Sequence, residues 1–461
     1  MIDQALHFEI LGRTLGRGGE YADVFVESRS VTSLILEDSR LEKIITGNET
    51  GAGIRLLYNG KTSYAFSNDL SARALLLAAA EASRMAVDGS PREVMRLTAR
   101  LPSVEFEIRS FPDDVPLEKK IAHIRNAEKS ARSYDSRIRQ VTVIYRDSVQ
   151  KVQTAASEGF YAEDERVYTS FVIQVIAGQD GVVQTGYEAI GGFTGFELLD
   201  EESVEALSLK AAQRAVSMLT ARKAPAGRMP AVISSKAGGT MIHEAIGHGL
   251  EADLAQQGLS VFSGKLQGEV ASELITVIDD ATLPGKRGSF RFDDEGTPAQ
   301  RTILVEKGVL KSYMYDKLAA MKEGKLSTGN GRRESYQNRP IPRMTNTFIA
   351  PGNHDPGEIV ASVDQGLLVI KMGGGQVNTV TGDFVFDVQE GYLIRNGRQG
   401  DLVRGATLTG NGPQVLKSID MVGTDLGFSI GTCGKDAQGV PVTDAMPTVR
   451  IPEIIVGGSH E

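Results

Sequence analysis

Two of the chain's six histidines, His243 and His248, stand five residues apart, and Glu244 follows the first directly. Imidazole nitrogens bind transition metals, and a neighbouring carboxylate suits the task of base for a metal-activated water. With so few histidines, a chance His-Glu-x-x-x-His is expected in roughly one such chain in a hundred or fewer. The single cysteine, Cys433, lies in Gly431-Thr432-Cys433-Gly434-Lys435, where glycines leave room for close approach. A thiolate is a good zinc ligand, although a small buried hydrophobe is the commoner role of a lone cysteine. Glu251, Asp253, His354 and the nearly terminal His460 are the other candidates for a third ligand.

The spacing poses a geometric problem. On a regular helix, residues four apart lie about 40° apart around the axis, and residues five apart about 140°. Imidazoles separated by 140° do not converge on one cation, so the segment 239–253 is expected to be a distorted helix. A π-bulge between Glu244 and His248 absorbs the extra residue, with Gly247 placed to tolerate unusual backbone angles. Without such a bulge, the histidines are hydrogen-bonded core residues. Glu251, three residues past His248, is a candidate to orient that ring, or else a solvated charge at the helix end.

The elements around these residues suggest an α+β fold. Helices are predicted over 2–17, 69–86, 116–134 and 198–222, from apolar spacing and capping signals. Strands are predicted at Ala22–Val26, Ser33–Leu36, Ile54–Leu57 and Tyr64–Phe66, with further short strands between Val141 and Phe193. The stretch 223–230 holds two prolines and no apolar period, and reads as a linker. It divides an N-terminal domain of mixed helix and sheet, 1–222, from a β-rich C-terminal domain, 231–461, that carries the distorted helix.

Composition limits the functions available. At 41% hydrophobic and 24% charged the chain is an ordinary globular protein. A net charge of −9 argues against direct binding to a nucleic-acid backbone. No apolar run reaches the length of a membrane span, and Met1-Ile2-Asp3-Gln4 lacks the basic and apolar features of a secretory signal. With one cysteine for no internal disulfide, the expectation is a cytoplasmic protein.

Further motifs follow the histidine pair in order. They are Phe292–Pro298 (FDDEGTP), Thr328–Ser335 (TGNGRRES), Pro342–Thr347 (PRMTNT), Gly373–Val377 (GGGQV), Met421–Leu426 (MVGTDL) and Gly431–Lys435 (GTCGK). Together with His243–Gly249 (HEAIGHG), these resemble the TldD/PmbA metalloprotease family, on the side of its metal-motif-bearing members. The resemblance implies that His243, His248 and Cys433 bind Zn2+, with iron as an alternative, and that Glu244 is the catalytic glutamate. It also implies hydrolysis of small or unfolded peptides. Assembly is then expected as a homodimer, or as a heterodimer with a related PmbA/TldE-type subunit. The substrate-binding residues are not identified by the motifs. The backbone of Lys371–Gln376 is a candidate to pair with an extended peptide, and Arg332 and Arg333 to receive its carboxylate. The competing reading is a non-catalytic regulatory protein in which a fourth side chain closes a structural metal site.

Overall fold

In the computed structural model, which describes residues 1–86 and 89–458, the N-terminal half is built on one long sheet, antiparallel except for the short strand Thr98–Ala99 beside Phe160–Gln179. Its strands run in the order Lys61–Ser67, Arg40–Tyr58, Tyr21–Glu37, Ile138–Ala156, Phe160–Gln179 and Val182–Phe193. Two-residue turns with both φ positive, at Asn59-Gly60 and Asp180-Gly181, join neighbouring strands and match their twist. Two helix pairs cover this sheet. Gln4–Leu15 and Ala72–Ser83 bury Ile10, Leu11, Leu75 and Ala79 against Val24, Val26, Ile54 and Leu56. Leu117–Ser133 and Val204–Leu219 bury Ile124, Ala127, Ala211 and Ala215 against Val141, Val143, Phe171 and Ile173.

The strands are much longer than expected. Ala22–Val26 and Ser33–Leu36 belong to one 17-residue strand, and the short strands predicted after Val141 are strands of 19, 20 and 12 residues. Polar residues inside them look like breaks in sequence, but they are buried and partnered. Glu27 accepts from the Tyr336 amide and from Gln150 Nε2, both at 2.6 Å. Arg166 joins Asp164 at 3.1 Å and Asp294 at 2.6 Å. The helix predicted over 198–222 is instead two, Glu197–Glu201 and Val204–Leu219.

The C-terminal half has two larger sheets. One contains Gly227–Ile233, Gln365–Val377, Asp383–Arg395 and Val449–Gly457; the other contains Val277–Asp280, Asn346–Ile349, Gln438–Met446 and Gly427–Lys435. Strand pairing occupies both ends of the stretch read as a linker, through Arg222–Lys223 and Gly227–Ile233. The histidine-bearing segment lies between the two sheets. Met241, Ile242 and Ile246 share one core with Ile233, Leu367 and Val369 of the first sheet and Val277, Ile349 and Val442 of the second. The architecture is α+β, rich in strand.

Buried ion pairs join the two halves. Arg55, 1% exposed, donates through Nε to Asp23 at 2.7 Å and meets Glu295 at 2.7 Å. Arg333 donates to the Tyr64 hydroxyl at 3.0 Å and stands 3.7 Å from Asp23, while Asp294 meets Arg166 at 2.6 Å. The motifs 292–298 and 328–335 therefore fasten the N-terminal sheet to the C-terminal half. Nearby, Asp316 caps the Lys317–Glu323 helix by accepting from the Ala319 amide at 2.7 Å.

Burial first, and then the charge of Glu295, push the Asp316 carboxyl up to about 7. The folded state thus keeps this proton at pH values where the unfolded chain has lost it, and stability falls as pH rises from about 4 to about 7. An Asp316→Asn variant keeps the cap but has no charge to bury. Its melting temperature relative to the parent should rise across that window and level off above it, by an amount corresponding to at most about 4 kcal/mol. Parallel thermal melts at a series of pH values measure this, and a constant offset would remove Asp316 from the account.

Candidate metal centre

Thr240–Ile242 begins as α-helix, His243–Gly247 is a π turn, and His248–Leu250 is 3-10. The His248 amide donates to the His243 carbonyl, an i→i+5 bond that returns residues five apart to the same side. This is the bulge that the spacing called for. The two rings lie 4.9 Å apart at 86°.

Gly247 contributes in a different way from that expected. Its φ of −54° and ψ of −59° are ordinary helical values. What requires glycine is space, since a Cβ there would stand 2.2 Å from Met344 Sδ. Gly239 is similar, because a Cβ would come within 2.3 Å of the Ala445 amide nitrogen. The segment is thereby pressed onto strand Gln438–Met446.

Cys433 comes from the neighbouring strand, Gly427–Lys435, which pairs with Gln438–Met446 across the two-residue turn Asp436-Ala437. Both turn residues have positive φ, 51° and 55°. Cys433 Sγ lies 3.6 Å from His248 Nε2, and the ligand atoms of His243, His248 and Cys433 all fall within 4.8 Å of one another. A tetrahedral metal bound at about 2.1 Å to nitrogen and 2.3 Å to sulfur holds its ligand atoms roughly 3.6 Å apart. The donor set fits such an ion.

Each imidazole is braced from behind. His243 Nδ1 bonds Asp444 Oδ1 at 2.8 Å, and His248 Nδ1 bonds Glu251 Oε2 at 3.1 Å. With Nδ1 occupied, Nε2 is the nitrogen left to each ring for a metal. Burial opposes charge on both rings, but Asp444 holds His243 well above its usual pKa, and Glu251 with Cys433 raises His248 to about 10. Burial likewise opposes the Cys433 thiolate, yet the two histidines bring it down to about 6. Thiolate and imidazoles thus share protons across the site, and a metal would have to displace those on the rings.

The other candidates have different duties. Glu251 is fully buried and orients His248, and it is held in turn by Lys435 Nζ at 3.2 Å. Asp253 pairs with Lys435 at 2.7 Å, and His354 Nδ1 faces the Val422 carbonyl at 3.0 Å. His460 lies outside the described residues. Arg332 and Arg333 do not face a substrate. Both are buried, and Arg332 is spent on the carbonyls of Met344 at 2.6 Å and Pro441 at 2.7 Å. Asp444 escaped the sequence reading because a single acid in Val440–Met446 carries no spacing signal. Arg343 also escaped it. It donates to the Cys433 carbonyl and, at 3.2 Å, to that of Gln438, bracing the hairpin.

Glu244 borders two adjoining cavities of about 580 and 450 Å³, and His243 and Thr432 line both. Strand Gly427–Lys435, at the edge of its sheet, forms one wall of this cleft. Gly373 and Gly374 enter the first cavity, and Gly375 and Gln376 the second. The register of their strand slips at three points between Val369 and Gly375.

Models of the PmbA/TldA metallopeptidase family match residues 22–86 (domain 1), 111–219 (central domain) and 226–458 (C-terminal domain). The chain belongs to this family. A "Metalloprotease TldD homolog" of Haemophilus influenzae is 36% identical, over 96% of this chain and 94% of that one. A "Metalloprotease" of Methanothermobacter thermautotrophicus is also 36% identical, over 95% and 96% of the two chains. A "Zinc metalloprotease TldD homolog" of Saccharolobus solfataricus is 25% identical over 98% and 99%. In fold, the chain is similar to a putative modulator of a DNA gyrase from Thermotoga maritima, with a TM-score of 0.79 and 22% identity over 95% and 96% of the two chains. It is also similar to TldE from Thermococcus kodakarensis, with a TM-score of 0.76 and 19% identity over 98% and 99%. The names of the relatives and the His243/His248/Cys433 group together imply a metal.

Glu251→Gln keeps the shape of the side chain but removes the charge that fixes His248. It should weaken metal affinity about 10- to 100-fold, as read by competition with a chromophoric chelator. Unchanged affinity would leave Glu251 with no part in orienting the ring.

Proposed function

We propose that the protein is a zinc-dependent peptidase of the cytoplasm that acts on small or unfolded peptides. The observation that carries this reading is the meeting of two carboxylate-braced imidazoles and a thiolate beside Glu244, on the floor of an open cleft. His243 Nε2, His248 Nε2 and Cys433 Sγ would hold the metal. Zinc, when bound to three protein ligands, supplies a Lewis acid that polarises a carbonyl and makes a water more acidic.

The remaining work falls to the chain itself. The Glu244 carboxylate receives the proton of the attacking water and passes it to the nitrogen of the leaving amine. Asp444 and Glu251 keep the rings in one tautomer and one orientation. An extended peptide is aligned by the backbone of Lys371–Gln376 and by the open edge of Gly427–Lys435, which requires an unfolded segment. Among the described residues, no fourth His, Cys, Asp or Glu joins the three donors, which supports a catalytic site over a closed structural one. The active unit is a homodimer, or a heterodimer with a PmbA/TldE-type subunit, consistent with the likeness to TldE.

Glu244→Gln should retain zinc and lose peptide cleavage by about 100-fold or more, whereas Cys433→Ala should lose metal and activity together. Metal analysis alongside digestion of an unfolded protein reads both. Continued cleavage by the Glu244→Gln protein with its metal in place would dismiss Glu244 as the base. Metal bound without any cleavage by the parent would favour the regulatory reading.

A further inference from the structure

The charge around the cleft is lopsided. Lys210 and Lys236 line the first cavity and are exposed, and among the described residues no ion pair or side-chain hydrogen bond engages their ammonium groups. Lys286 stacks on the ring of Phe428, another lining residue, at 3.9 Å.

Apart from Glu244, the acids nearby are already committed. Glu188 is shared by Arg214 at 2.7 Å and Lys371 at 3.0 Å, and Glu390 is taken by Arg214 at 2.7 Å. Asp444 holds His243. The second cavity differs, because its one lysine, Lys435, is neutralised by Glu251 and Asp253. A protein of net charge −9 thus presents two exposed lysines, Lys210 and Lys236, at one end of its cleft, with Lys286 behind the lining ring of Phe428.

We propose that this end of the cleft receives an acidic stretch of the substrate, so that peptides with Asp or Glu to one side of the cleaved bond are preferred. The inference rests on the peptidase reading and names the substrate class for it. A low-dielectric wall lined by one sign of charge raises the local concentration of an oppositely charged segment, and salt screens the effect.

The test uses the zinc-loaded full chain and unstructured peptides that share one neutral segment. A run of Glu is placed on its N-terminal or its C-terminal side, with Gln counterparts for each. For one of the two placements, kcat/KM should exceed that of the Gln peptide by about tenfold at low salt. The advantage should shrink at ~0.5 M salt and fall towards parity in the Lys210→Ala/Lys236→Ala double variant at equal metal content. Equal rates for Glu and Gln peptides, or an unaltered preference in the double variant, would overturn the proposal. Should no peptide be cleaved, the peptidase reading fails by itself. Fluorescence anisotropy with the same labelled peptides then decides whether the basin selects acidic chains. Displacement of the labelled Glu peptide by a single-stranded oligonucleotide of equal charge and at equal concentration would mark a general anion surface, against the assignment to peptides.

Discussion

Three ionisable donors are buried together at this centre, and their charges must be balanced for the fold to tolerate them. The balance is local. Asp444 and Glu251 sit behind the imidazoles, the imidazoles face the thiolate, and Lys435 covers the outer side of Glu251. An unpaired charge in such a place costs several kcal/mol, so no member of the group is free to change alone. The apolar packing of Met241, Ile242 and Ile246 between two sheets then fixes where the group stands.

The chemistry-bearing residues were largely legible from sequence, because the spacing of His243 and His248 leaves few geometries in which both reach one ion. The π turn followed from that requirement alone. Gly247 was singled out for the wrong reason, since a one-dimensional reading sees backbone freedom in every glycine and cannot see Met344 pressing on this one. Asp444 and Arg343 act across about 200 and 90 residues of chain, and no local pattern marks such partners. Arg332 and Arg333 were offered to a peptide carboxylate, whereas their guanidinium groups are consumed by backbone carbonyls and acids brought in by the fold.

The N-terminal sheet shows a related limit. Alternation of polar and apolar residues marked the strands, but their lengths were hidden by buried charges such as Glu27, Asp164 and Arg166. Those charges are tolerable because the C-terminal half supplies Tyr336 and Asp294. Each half therefore completes the other, and the motifs at 292–298 and 328–335 belong to the seam between them as much as to the site.

The turn Asp436-Ala437 governs more than the end of a hairpin. A two-residue turn fixes which residues of Gly427–Lys435 and Gln438–Met446 stand opposite each other, and Cys433 faces Val440 as a result. Successive side chains along a strand point to alternate faces. Sliding this ladder by one step would swing the sulfur away from the histidines and present Thr432 or Gly434 in its place. An insertion or deletion there is in effect a ligand substitution, although it leaves the cysteine itself untouched.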